Sequence, residues 1–165
     1  MQNAKDSFYL ALRERLAAIN PARTVVVNGA TRPAVIVAEN ESPTAAPPQL
    51  NAFYLRWGAA RVVQGAERAR RPLMALECAI SYAAAGASDA ATDRGRTLAA
   101  LDLELLQMCT PPRTQKCDYT WSPPAMLGTM VFWGVPEFGE PEPVGELLRR
   151  AARLTIFFFP EMEVA

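Results

Sequence analysis

The hydrophobic pattern between residues 71 and 111 predicts a strand followed by a long helix. From Met74 to Tyr82 the even-numbered residues are apolar and the odd-numbered ones are small or polar. This period of two is typical of a strand that buries one face. Apolar residues then recur every three or four positions, as in an amphipathic helix, at Leu98, Leu101, Leu105 and Met108. We therefore expect this strand and this helix to form the centre of the fold.

A second helix is predicted near the start of the chain. Asp6 or Ser7 is a suitable N-cap, and the helix is expected to end at Asn20-Pro21, because a residue before proline disfavours helical geometry. Further strands are predicted at residues 24–28, 33–39, 51–63, 128–135 and 154–159. The Asn28-Gly29 pair predicts a hairpin turn between the first two of them.

The remaining segments predict connections rather than strands. Residues 40–49, 110–126 and 136–145 are rich in proline and predict irregular structure, and residues 146–151 predict a helical turn. Gly86 lies in the turn before the central helix, with Asp89 or Asp93 as its cap. The order is a helix, three or four strands, a helix and two strands. It predicts one two-layer α+β domain over residues 1–165, in which two main helices pack on one face of a mixed or mostly antiparallel sheet.

The composition restricts the possible classes of function. Hydrophobic residues make up 50% of the chain and charged residues 21%, as in a folded protein, and 17 basic residues balance 17 acidic ones. This balance argues against binding nucleic acid through bulk charge, so we expect no specific nucleic-acid binding. The first residues lack the pattern of a signal peptide. No apolar run approaches the roughly 20 residues of a membrane span, so the default compartment is the cytoplasm.

Recognisable catalytic groups are missing from the sequence. There is no histidine, which is the commonest general base, and no paired-cysteine motif, glycine-rich phosphate loop or nucleophile elbow. Cys78 is predicted to be a core residue, whereas Cys109 and Cys117 can close a loop or remain unrelated thiols in a reducing cytosol. Asp102 and Glu104 point in different directions from the central helix and predict a solvated face. We expect no enzyme, and therefore no catalytic residue, cofactor or metal.

Charged residues outside the predicted core fall into separate basic and acidic clusters. The clusters are Arg68, Arg70 and Arg71, then Arg149, Arg150 and Arg153, and an acidic one at Glu137, Glu140 and Glu142. Each cluster has an ordinary interpretation as a solvated surface. In a chain of zero net charge, the split between basic and acidic clusters favours complementary protein surfaces over a nucleic-acid footprint.

Two aromatic features are further candidates for a protein interface. Trp121 is predicted to lie in a proline-rich loop, where an exposed aromatic residue can anchor a partner. In the last predicted strand, Phe157 and Phe159 lie on one face and Ile156 and Phe158 on the other. Apolar residues on both faces predict burial on both sides, and in a small domain the second cover can be another subunit.

In pattern and order, four segments of the chain resemble bacteriophage tail terminator (tail-completion) proteins. They are the helix DSFYLALRERLAAI, the strand ALECAISYAA, the helix DRGRTLAALDLELLQM and the late strand LTIFFF. The resemblance implies a small α+β protein that forms a hexameric ring. It also implies that the ring caps the tail tube and stops its polymerisation, and that it offers a surface to the head connector.

Two functions of different classes therefore follow from the sequence. The first is a structural, ring-forming protein of a phage or prophage tail, or of a related particle. Its partners would be other copies of itself, the tail tube protein and the head–tail connector, and it would assemble in the bacterial cytoplasm and end in the virion tail. The second is a cytoplasmic small-ligand-binding module or small enzyme, which would require a deep, closed pocket lined by convergent polar groups.

Overall fold

A computed structural model describes residues 1–41, 49–86 and 92–161 of the chain. In chain order the elements are α1 (Gln2–Ile19), β1 (Thr24–Val27), β2 (Ala30–Pro33), β3 (Val35–Val37), α2 (Ala38–Glu41), β4 (Phe53–Val62), β5 (Met74–Ala85), α3 (Asp93–Met108), β6 (Arg113–Asp118), β7 (Ala125–Trp133), β8 (Glu137–Phe138), β9 (Glu142–Val144) and β10 (Leu147–Phe158). The predicted α+β class is confirmed, with two main helices, α1 and α3, packed against a curled sheet.

The main sheet is mixed but mostly antiparallel. Its strand order is β3-β4-β5-β10-β7-β6, and the short strands β8 and β9 also pair with β10. Only the β3–β4 pair is parallel among the described strands of this sheet. β5 and β10 pair along their full length, from Leu147 opposite Ala85 to Phe158 opposite Met74. These two strands therefore form the axis of the sheet.

The central strand and helix have the faces that their patterns predict. Even-numbered residues of β5 from Leu76 to Ala84 are buried, and so are the four residues of the α3 stripe, Leu98, Leu101, Leu105 and Met108. They belong to one hydrophobic core together with Phe8 and Leu12 of α1. We call the sheet face that contacts the helices the inner face and the opposite one the outer face.

The start of α1 differs from the prediction. The helix begins at Gln2, so Ser7 lies within it and is fully buried rather than acting as its cap. The Ser7 hydroxyl donates to the Asn3 carbonyl at 2.6 Å and accepts a hydrogen bond from the Cys117 backbone N–H at 3.0 Å. Ser7 therefore joins α1 to β6. The predicted cap Asp89 lies outside the described residues, whereas Asp93 is the first residue of α3.

Four predictions of strands or connections were wrong, one of which is that residues 136–145 are irregular, since they contain β8 and β9. The partner of β1 is β2, because Asn28 and Gly29, both with positive φ, form a two-residue turn directly before Ala30. Residues 33–39 instead contribute β3 to the main sheet. Residues 110–126, predicted to be irregular, contain β6, and residues 146–151, predicted to be a helical turn, belong mostly to β10. In each case, pairing with a neighbouring strand outweighs the local sequence preference.

Side chains and helix residues cap the free edges of the sheet. Arg15 of α1 donates to the Arg113 carbonyl of β6 at 2.7 Å, close to the Ser7–Cys117 contact on the same strand. At the opposite edge, the Val37 N–H of β3 donates to the Glu41 carboxylate at 3.0 Å. An exposed strand edge is a template for pairing with another chain, and these contacts occupy several of its backbone groups.

The carboxylates of α3 do not form the predicted solvated face. Asp102 accepts a hydrogen bond from the Tyr82 hydroxyl and forms an ion pair with Arg150 at 3.1 Å. Glu104 accepts hydrogen bonds from Asn20 at 2.7 Å and from Arg23 at 2.9 Å. The two carboxylates point in different directions, as predicted, but each fastens α3 to a neighbouring element.

The three cysteines are free thiols, so of the two alternatives for Cys109 and Cys117 the structure shows unrelated thiols rather than a closed loop. Cys78 and Cys109 are buried, and burial raises the pKa of the Cys109 thiol to about 12. At neutral pH it therefore remains a thiol rather than a reactive thiolate. No helix within the described residues is long and apolar enough to cross a membrane.

Candidate protein-interface surfaces

The predicted arginine cluster lies at the tip of the β4–β5 hairpin. Arg68, Arg70 and Arg71 are exposed in the turns that connect Val62 to Met74, and we call these three residues the arginine tip. None of them has an ion-pair partner within 4 Å in the part of the chain that the structure describes. Their positive charge is therefore available to another molecule.

The predicted acidic cluster lies on short strands along the edge of β10. Glu137 is in β8, Glu142 is in β9, and Glu140 lies between them; all three are exposed, and we call this segment the acidic edge. Glu142 forms an ion pair with Arg149 at 2.8 Å. Proline at positions 136, 141 and 143 removes backbone donors, as is typical of an edge strand that avoids further pairing.

The arginine tip and the acidic edge lie towards opposite ends of the sheet. The tip directly precedes Met74, which is opposite Phe158, whereas Glu142 is opposite Arg149, which is itself opposite Ala83. From residue 74 to residue 83, β5 spans about 30 Å at roughly 3.3 Å per residue. The structure therefore does not bring the arginine tip and the acidic edge into one site. It places the second predicted basic cluster beside the acidic edge instead, with Arg149 opposite Glu142 and Arg153 opposite Glu137.

Trp121 lies in the β6–β7 turn with 66% of its surface exposed. Thr120 donates from its N–H and its hydroxyl to Asp118 at 2.9 and 2.6 Å, and these bonds lower the pKa of the Asp118 carboxyl. Because β7 extends beyond the residue opposite Phe158, this turn lies towards the same end of the sheet as the arginine tip. Met126, at the start of β7, is a second exposed apolar residue near this turn.

The last strand has one fully buried face and one partly buried face. Ile156 and Phe158 are in the core, whereas Phe157 and Phe159 are only half-buried. The outer face also carries Phe132 of β7, directly opposite Phe157 and 41% exposed. Phe132 was not predicted to be an interface residue, although its alternation with the buried Val131 and Trp133 is a signal that could have identified it.

A row of five outer-face residues crosses the sheet at this point. Directly opposite residues in paired strands lie on the same face. The register places Arg61 opposite Ala75, Ala75 opposite Phe157, Phe157 opposite Phe132, and Phe132 opposite Arg113. We call Arg61, Ala75, Phe157, Phe132 and Arg113 the aromatic row. Its ends are basic, its middle is apolar, and it adjoins the arginine tip.

The buried polar groups bind one part of the fold to another. The Tyr82 hydroxyl is buried against Asp102, and burial and this hydrogen bond raise the pKa of Tyr82. Lys116 of β6 is only 2% exposed, donates to the Phe159 carbonyl and forms an ion pair with Glu161 at 3.0 Å. Each group is held between secondary-structure elements and is not directed into a cleft.

The described surface includes two grooves beside α1. The larger, of about 380 Å³, is an open groove between α1 and β6 that includes Arg13, Glu14, Thr114 and Tyr119. The smaller, of about 60 Å³, lies between α1 and α2 beside Glu41. No group of three or more metal-ligating side chains occurs within residues 1–41, 49–86 and 92–161.

The chain matches no protein-family model and no curated protein sequence. Its function therefore has to be inferred from its own surfaces and from the resemblance in element order.

Proposed function

We propose that this chain is a structural, ring-forming protein of a phage tail or a phage-tail-like particle, acting as the terminator that caps the tail tube and joins it to the head connector. The main support is the separation of the arginine tip from the acidic edge. Both surfaces are exposed, and along β5 the acidic edge lies about 17 Å from the tip at Glu137 and about 30 Å from it at Glu142. A contact between unlike ends of identical chains is head-to-tail, and it closes into a ring when the rotation per copy is appropriate.

The capped sheet edges support the same kind of assembly. Ser7, Arg15 and Glu41 occupy backbone groups at the two edges of the main sheet. Strand pairing through β3 and β6 is therefore disfavoured as a route to association. We infer that side-chain surfaces form the contacts between copies, and charged ones determine register and orientation.

Charge reversal tests the head-to-tail contact. The double variant Arg70→Glu/Arg71→Glu should lose ring formation in light scattering and negative-stain images, because an acidic tip would repel the acidic edge. Reversing Glu140, which has no ion-pair partner among the described residues, to arginine in the same chain should restore part of the assembly. The matched control is Arg94→Glu/Arg96→Glu, which changes two exposed arginines of α3 and should still form rings.

The assignment to a tail terminator has its own test. The chain should form rings alone or on co-assembly with the tail tube protein of its own particle, and the tubes should become uniform in length. Monomers that neither assemble alone nor bind tube ends would contradict the proposal, provided that the protein is folded by circular dichroism.

A further inference from the structure

The aromatic row is an apolar strip with two cations at its ends. Phe132 and Phe157 form its centre, and Arg61 and Arg113 are exposed at its two ends. Neither arginine has an ion-pair partner within the described residues. The row crosses five strands, so the Cα atoms of Arg61 and Arg113 lie about 19 Å apart at roughly 4.8 Å per strand.

The acidic edge has the complementary composition. Glu137 and Glu140 have no ion-pair partner in the described chain, and the exposed residues Val135 and Val144 lie on either side of the glutamates. Glu137 is opposite Arg153 and Glu142 is opposite Arg149. These positions are four residues apart along β10, which places the two carboxylate-bearing residues about 14 Å apart. The Cα atoms of Arg61 and Arg113 are about 5 Å farther apart than the two glutamate positions. Arginine side chains are long enough to bend inward by this amount.

We propose that the aromatic row binds the acidic edge of a second copy of this chain. Arg61 and Arg113 then pair with glutamates of the incoming segment, and Phe132 and Phe157 pack on its exposed valines. The inference rests on the proposed ring and identifies the surface that receives the acidic edge. The arginine tip, which adjoins the row at Met74, lies beside the same segment and adds to the attraction.

The row fits an acidic protein segment better than a single-stranded nucleic acid. Aromatic residues and arginines on a sheet face can bind bases and phosphates. Here, however, Glu77 is exposed two residues from Ala75 on the outer face of β5. Its carboxylate would repel a phosphate backbone, whereas a segment of separated glutamates, prolines and valines can place an apolar or neutral group there.

Site-specific photo-crosslinking tests the contact directly. A benzoylphenylalanine residue replacing Phe132 should crosslink to residues 135–146 of another copy, as read by mass spectrometry of mixed isotope-labelled chains. The same probe replacing Leu103, which is 56% exposed on α3, is the control and should not label that segment.

The outcomes separate this inference from the proposed function. Rings that crosslink from position 132 to a different segment would overturn the aromatic row as the receiving surface and leave the ring intact. Crosslinks to residues 135–146 within an open filament or dimer would support the row and contradict the ring. Displacement of the crosslink by a single-stranded oligonucleotide that binds the row would overturn the choice of partner.

Substitution gives a second, quantitative test. Phe132→Glu should weaken assembly by about tenfold or more, since a central aromatic contact is replaced by a charge that repels the glutamates. Phe132→Leu should retain most of the association. Leu103→Glu, a matched exposed position, should assemble as the unmodified chain does. Equal loss in all three variants, or no loss in Phe132→Glu, would overturn the inference.

Discussion

Two buried polar residues, Ser7 and Lys116, show how single side chains join distant parts of this fold. Ser7 lies inside α1, where its hydroxyl satisfies the backbone of β6 as well as its own helix. Lys116 projects from β6 to the Phe159 carbonyl and the Glu161 carboxylate. Sequence reasoning selected Ser7 as a helix cap, because serine is common there. Its actual partner, 110 residues away, has no local signal.

Replacing Ser7 by alanine should destabilise the chain. The variant leaves the Cys117 N–H without its acceptor, and an unsatisfied buried donor costs about 1–3 kcal/mol. The midpoint of urea unfolding should fall accordingly. Thr97→Ala is the control, since the Thr97 hydroxyl bonds only to the Asp93 carbonyl of its own helix, and its effect should be within about 0.5 kcal/mol. Equal effects of the two substitutions would contradict the role given to Ser7.

The Glu161 carboxylate should make stability depend on pH. Burial alone would raise its pKa, but hydrogen bonds from the Met1 amine and from Lys116 outweigh burial and lower the pKa from 4.5 to about 2. The folded state thus favours the charged carboxylate. Its contribution is present at pH values above the unfolded pKa and is lost as the pH falls from about 5 towards 2.

Thermal unfolding of Glu161→Gln measures this contribution. The variant should be less stable than the unmodified chain at pH 7, and the difference in Tm should shrink as the pH falls below about 4. Glu140→Gln, which changes an exposed carboxylate without an ion-pair partner among the described residues, is the control. A difference in Tm that does not change with pH would contradict the prediction.

At the scale of elements, the sequence predicted well wherever one face is buried and the period is clear. β5 and α3 satisfy this condition, and their buried faces were identified correctly except at the start of β5, where Met74 is half-buried and Ala75 is buried. β6, by contrast, has the polar sequence RTQKCD, and its only buried residue is a lysine, so no apolar alternation marks it. The first half of β10, LLRRAA, contains good helix formers but pairs with the alanine-rich end of β5.

Some of the candidate surfaces could be predicted from the sequence, and others could not. Exposed charges such as Arg70 and Glu140 could be identified from the sequence because they lie in charged clusters outside the predicted core. The aromatic row could not be assembled, since its members come from five strands whose register depends on tertiary pairing and on a bulge between Trp57 and Ala60 of β4. Local sequence carries no information on which residue of β7 lies opposite Phe157.

The amphipathic character of α3 gives a prediction at the scale of an element. Leu105→Ala should destabilise the chain by about 2–5 kcal/mol, because a fully buried side chain is lost and a cavity remains. Leu103→Ala, two residues away on the exposed face, should change stability by less than about 0.5 kcal/mol. Urea unfolding of both variants measures the contrast, and similar losses would mean that α3 is rotated from the described position.

At the scale of the whole molecule, the helices and the outer face of the sheet differ in what their side chains contact. The helices cover the inner face. Their side chains form hydrogen bonds with the backbone of β6 and with Tyr82 on the inner face of β5. The outer face and the hairpin tip instead carry exposed arginines, and the acidic edge lies towards the far end of the sheet. A zero net charge is therefore compatible with a strong attraction between unlike ends of neighbouring copies.

Salt should dissociate the assembly if unlike ends hold it together. Screening shortens the range of charge interactions from about 10 Å at 0.1 M salt to about 3 Å at 1 M. Light scattering should therefore show rings at the lower concentration and mainly protomers at the higher one, with an unchanged Tm of the protomer. Rings that persist at about 1 M salt would instead identify an apolar contact as the main source of affinity, since burial of apolar surface is not screened.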